Sequence, residues 1–141
     1  EEMIEAGRKL KRCGILCSAT LISGLGGRQR LREHAIASAS LISAIKPDYV
    51  GFLTLMIDPQ APVYSKIVSG ELELLNPEDV VEEMKLFFQN VDSEGTVFRS
   101  NHASNYVILK GTLNEDIPSM LAYLRQVEEQ GKYREERWRR F

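Results

Sequence analysis

Little in this chain is scarce in a way that hints at an unusual molecule, and the scarcities mainly exclude. Two cysteines, Cys13 and Cys17, in 141 residues cannot make a disulfide framework, so a cytoplasmic setting is the expectation. No basic excess exists: the formal net charge is -2, which argues against a general nucleic-acid binder. No apolar run approaches the roughly 18 residues of a membrane helix, and no signal-peptide pattern is visible. Internal repeats and low-complexity linkers are also missing. The chain opens on Glu1 inside an already helical pattern, as expected for a piece of a longer protein or for a trimmed one.

What is present suits one globular domain. Apolar residues make up 43% and charged residues 27%, enough for a real core under an ordinary charged surface. Met3, Ala6, Gly7 and Leu10 recur at helical spacing, with acids ahead of bases as the helix dipole favours. Gly14 is placed to stop that helix. Ile15–Ile22 reads as a strand, and Ser23-Gly24-Leu25-Gly26-Gly27 as a glycine-rich turn. A helix over Gln29–Ile45 follows, with the stripe Leu31, Ala35, Ala39 and Ile42 and a stop at Lys46-Pro47. Tyr49–Ile57 is a near-continuous apolar run, the pattern of a parallel strand covered on both faces. The alternation predicts an α/β fold built of parallel βα repeats.

Beyond it, Asp58 to Pro62 is a loop, and Val63 to Val68 a short helical turn. Asn76-Pro77 starts a helix with the apolar face Val80, Met84, Phe87, Phe88 and Val91. Thr96–Arg99 is a third strand, Val107–Leu109 a short extended piece and Gly111 a turn. Asn114 is expected to cap a last helix with the stripe Ile117, Met120, Leu121, Leu124 and Val127. Residues 132–141, KYREERWRRF, form a charged tail expected to fray, its Arg134, Arg137, Arg139 and Arg140 making a solvated face beyond the domain of residues 1–131.

Three groups of residues carry candidate chemistry. Cys13 and Cys17 are spaced CxxxC, but a cluster needs more thiolates, and Gly14 and a strand onset leave no wrapping loop, so they read as structural. The Ser23–Gly27 turn could cradle a phosphate through its amides, or be a tight turn where glycine is sterically required. His102 lies among Arg99, Ser100, Asn101, Ser104 and Asn105 after the third strand, a cluster that either binds something polar or forms an internal hydrogen-bond network. His34 falls on the polar side of its helix and reads as solvated.

LISGLGG after a strand, GFLTLMIDPQAPVY and FRSNHASNYVILKGTL together resemble the later half of radical S-adenosylmethionine (radical SAM) iron–sulfur oxidoreductases. The likeness is to members grouped with oxygen-independent coproporphyrinogen oxidases and Elongator-like proteins, and it runs to about Glu129. The resemblance implies the second half of a partial (βα)6 TIM-like barrel, with Ile15–Ile22 as fifth strand and Tyr49–Ile57 as sixth. It implies an intact parent that cleaves S-adenosylmethionine reductively on a 4Fe–4S cluster and generates a radical on an unknown small-molecule substrate.

The family's CxxxCxxC motif is absent, since Thr20 follows Cys13 and Cys17, so this chain by itself is expected to be inactive and to hold no metal. In the fifth-strand motif GxIxGxxE, Ile22 and Gly24 match, while Thr20 and Gly27 depart from it. The resemblance therefore assigns cofactor binding to Ile22, Gly24, Leu55 and Met56, and the substrate side to Arg99, Ser100, Asn101, His102 and Asn105. No catalytic residue is assigned. The implied partner is the N-terminal half of the same protein; without it a homodimer is expected, and neither membrane nor nucleic acid is. The other reading is a stand-alone α/β ligand-binding or interaction module without redox chemistry.

Overall fold

The computed structural model describes residues 1–141. It is an α/β molecule with a four-stranded, mostly parallel, open sheet and five helices. Helix α1 (Glu2–Arg12) leads to strand β1 (Ser18–Ser23), helix α2 (Leu31–Ile45) and strand β2 (Tyr49–Thr54). Short α3 (Tyr64–Val68) and long α4 (Pro77–Asn90) precede β3 (Val97–Arg99), β4 (Lys110–Thr112) and α5 (Ile117–Gln130). The spatial order is β1-β2-β3-β4, with the first three strands parallel and β4 antiparallel to β3.

The helices form in the expected places for stated local reasons. Asn76 caps α4 by accepting the Asp79 N–H at 2.7 Å, and Asp79 accepts the Asn76 N–H in return, with Pro77 preset at the first helical position. Gly7 of α1 meets α2 so closely that a Cβ there would lie 2.6 Å from Ile45 Cγ2. That approach is what lets α1 dock.

Several boundaries differ from the sequence reading. β1 begins at Ser18 because Ile15 and Leu16 remain exposed, while the Cys17 N–H is taken by the Asp48 carboxylate at 2.8 Å. Gly111 lies within β4, not in a turn. Asn114 does not cap α5, whose cap position is Asp116. Its amide instead accepts the Ser93 N–H and donates to Asp92, and its backbone takes φ 69°.

The core lies on one face of the sheet only. Leu21, Val50, Phe52 and Phe98 point into it and meet Val80, Met84, Phe87 and Phe88 of α4. α2 packs on α4, α4 on α5 and α1 on α2, so the helices make a single layer. The alternate residues Ser18, Thr20, Tyr49 and Arg99 are exposed, and Ile22, Gly51, Leu53 and Val97 half-exposed. The expectation that the Tyr49–Ile57 run is covered on both faces is therefore corrected. Six of its residues form the strand, with Val50, Phe52 and Thr54 buried and the intervening ones facing outward.

The tail is docked against the domain in this structure. The Arg134 N–H bonds the Tyr106 carbonyl at 2.9 Å, and a 3-10 turn (Glu136–Trp138) carries Arg139 into a buried position. Arg139 Nε donates to the Ser104 carbonyl at 2.6 Å, Nη1 to Tyr106 Oη at 2.6 Å and Nη2 to the Leu55 carbonyl at 3.3 Å. Its guanidinium also stacks 4.1 Å from the Tyr106 ring centroid. A charged side chain can be buried when its fork of donors is matched in this way.

Candidate functional site

Parallel strands deliver their loops at the carboxyl-terminal edge, and two adjoining clefts lie there. One, of about 210 Å3, is lined by Ser23, Gly24, Thr54 and Leu55 on the strand side and by Leu75 and Arg139 opposite. Its neighbour, of about 290 Å3, is lined by Ile22, Leu53, Leu55, Met56, His102 and Phe141, among others. Thr54 and Leu55 border both.

Ile22, Leu55, Met56 and His102, distant in sequence, thus border one cleft, and Gly24 borders the adjoining one beside Leu55. Gly24 has φ 92°, a conformation that favours glycine, and its N–H points at a carboxylate instead of a ligand. That carboxylate is Glu83, almost fully buried on α4. Its Oε2 accepts the Gly24 N–H at 3.0 Å and the Ser23 hydroxyl, and its Oε1 accepts His34 Nδ1–H at 2.6 Å. His34 is therefore not simply solvated: it reaches from α2 to α4 and completes a Ser–Glu–His bridge beneath the turn. The glutamate lies between the other two, so this is not the order in which a histidine activates a serine. Its chemistry is to hold the turn.

The polar cluster after β3 divides. Ser100 and Asn105 are fully buried and satisfied by the chain. Ser100 Oγ accepts the Leu109 N–H at 2.7 Å and donates to the Val107 carbonyl. Asn105 Nδ2 donates to the Phe52 and Ser100 carbonyls, and its Oδ1 accepts the Thr54 hydroxyl at 3.0 Å. These two are the internal network. Arg99 and Asn101 are exposed and line neither cleft. His102, also exposed, is the one of the five residues assigned to the substrate side that lines a cleft, beside Ser104.

Electrostatics concentrate where the tail closes the smaller cleft. Burial, then the hydrogen bond to Glu136, pushes the Tyr106 hydroxyl up to about 12. Burial would raise the Glu136 carboxyl, but Arg139 and the Tyr106 hydroxyl outweigh it and hold it below its ordinary value.

Sequence reasoning missed Glu83 and Arg139. Glu83 had a signal: it falls on the apolar stripe between Val80 and Phe87, where a carboxylate must find partners. Arg139 had none, since nothing local separates it from Arg137 and Arg140.

Cys13 is exposed and Cys17 buried, both as free thiols at the amino-terminal end of β1. They lie at the opposite end of the strand from the clefts and do not fit an iron–sulfur cluster serving them. The apolar walls and single imidazole of the larger cleft do fit part of a nucleoside-sized group. No helix is long and apolar enough to cross a membrane. No family model matches the chain, and no match is found among the curated proteins or the solved structures.

Proposed function

We propose that this chain supplies carboxyl-terminal βα units of a radical SAM barrel, and that its strand-end clefts hold part of the adenosyl and substrate pocket. One observation carries the reading. Ile22, Leu55 and Met56, assigned to the cofactor from two separate motifs, border a single cleft with His102, assigned to the substrate from a third. The uncovered sheet face also supports it, because a barrel strand needs one face toward helices and one toward the interior. S-adenosylmethionine, with a cluster held by other parts of the parent, would supply the radical chemistry. Residues of this chain would bind and orient: Gly24 keeps the turn low, Leu55 and Met56 give an apolar wall, and His102 offers a polar contact.

Titration of the chain with S-adenosylmethionine, followed by calorimetry, tests this reading. Only weak binding is expected of the chain alone, and Gly24→Val should abolish it, because a β-branched residue at φ 92° forces the turn to move. Circular dichroism must first establish that the variant is folded. Equal affinity in the two proteins sinks the assignment.

The second reading, an α/β ligand-binding module without redox chemistry, is favoured by the distance of both thiols from the clefts. It expects a ligand to bind the same cleft while S-adenosylmethionine does not.

A further inference from the structure

His102 folds back onto Ser104, two residues later. The Ser104 backbone N–H donates to His102 Nδ1 at 3.2 Å, and Ser104 Oγ lies 2.9 Å from the same nitrogen. A backbone amide can only donate. The Ser104 hydroxyl oxygen also takes the Thr54 N–H at 3.2 Å, and its own proton is free to point at the ring. The amide contact therefore requires a lone pair on Nδ1, and the hydroxyl can donate to the same lone pair. A neutral imidazole with its lone pair there carries its proton on Nε2.

Nε2 has no protein partner, and His102, an exposed residue, borders the larger cleft. The other polar side chains on that wall, Thr54 and Ser104, already have partners within the protein. The Thr54 N–H is bonded to Ser104 Oγ, and the Thr54 hydroxyl to Asn105. Ile22, Leu53, Leu55 and Met56 supply apolar surface around them.

We propose that His102 is locked as the Nε2–H tautomer and is the specificity-determining donor of this cleft, selecting occupants that present a hydrogen-bond acceptor. Suitable groups are a carbonyl, an unprotonated ring nitrogen or a carboxylate oxygen. An occupant presenting an amine at that point would set donor against donor and leave water as the partner of the exposed His102 ring. Such a mismatch forfeits one ordinary hydrogen bond and lowers affinity by roughly twofold to tenfold. The proposal rests on reading the cleft as a ligand site, and it adds the polarity of the group that meets His102.

The tautomer is read directly from long-range proton–nitrogen correlation spectra of the 15N-labelled chain, at a pH where the ring is neutral. With only two histidines, His34 and His102, a His102→Gln spectrum assigns the signals. Expected is one pattern, with Nδ1 unprotonated and Nε2 protonated, retained in Ser104→Ala because the amide donor remains. The reverse pattern, or the averaged signals of two exchanging tautomers, overturns the proposal. S-adenosylmethionine is then added as probe. A shift of the Nε2–H resonance together with those of Leu55 and Met56 supports the donor role, and shifts at Leu55 and Met56 without it overturn that role. If no cleft resonance moves, the radical SAM reading of the cleft fails, while the tautomer pattern still supports the lock.

Discussion

Glu83 makes the strongest single-residue demand on this structure. It is a buried carboxylate whose two oxygens serve three donors from two other elements, Ser23, Gly24 and His34. Removing it strands all three donors. Glu83→Ala is expected to cost about 1–3 kcal/mol for each buried donor it leaves without an acceptor. Glu83→Gln keeps an acceptor and the shape, and should cost less. Urea unfolding of the three proteins measures the order, and an alanine variant as stable as wild type would remove the bridge from the account. Tyr106 predicts a second effect at this scale. The folded state holds its proton more tightly than the unfolded chain does, with the folded value pushed from 10.0 to about 12. The stability from this group is complete below pH 10 and is lost as pH rises toward 12. Absorbance of the phenolate should therefore report a late-titrating tyrosine that Tyr106→Phe removes, and the variant should lose less stability than wild type across that alkaline window.

Among the elements, the tail of residues 132–141 behaves as part of the domain. Arg139 ties it to the Ser104 and Leu55 carbonyls and to Tyr106, so it links the β2 end to the segment after β3. Arg139→Ala should destabilise by about 1–3 kcal/mol, because two carbonyls and a hydroxyl lose a charged donor at once. Hydrogen exchange should show protection falling selectively in the tail and around residues 103–106. Uniform loss across the core helices would instead mean that the tail is integral to the whole fold. The Glu136 carboxyl, held below 4.5, predicts the pH direction of the same anchor. Its contribution is present above pH 4.5 and is lost as pH falls through the lowered value, so the tail should loosen in acid before the core does.

For the molecule as a whole, the open sheet is the feature with consequences. β1 is an edge strand with one free row of backbone groups, and the exposed side of the sheet carries Ile22 and Leu53 half-covered. Leu16 and Ile15, just ahead of β1, are exposed by 73% and 53%, which adds apolar surface beside that edge. A twofold pairing would satisfy both copies at once. Sedimentation equilibrium at micromolar concentration should return about twice the 16.0 kDa chain mass. A monomer at all concentrations would mean that the edge and the open face remain solvated, and the homodimer expectation would fall.

The sequence by itself determined the order of elements, because the signals are local. Apolar spacing marked all the long helices, Asn76-Pro77 marked the start of α4, and the glycine turn after β1 was legible from its composition. The family resemblance, and not local pattern, named Ile22, Leu55 and Met56, which border one cleft with His102. Tertiary structure alone decided which polar residues serve the fold and which border a cleft. Ser100, Asn101, His102 and Asn105 are equivalent on paper, yet Asn105 bonds carbonyls of β2 and its own loop while His102 borders the cleft. The burial of Arg139 and Glu83 was decided in the same way, since their partners lie 84 and 59 residues away, at Leu55 and Gly24. The physical reason is that helix and strand periodicity depend on neighbours along the chain. Burial of a charge depends on donors and acceptors that only the completed fold brings within hydrogen-bond reach.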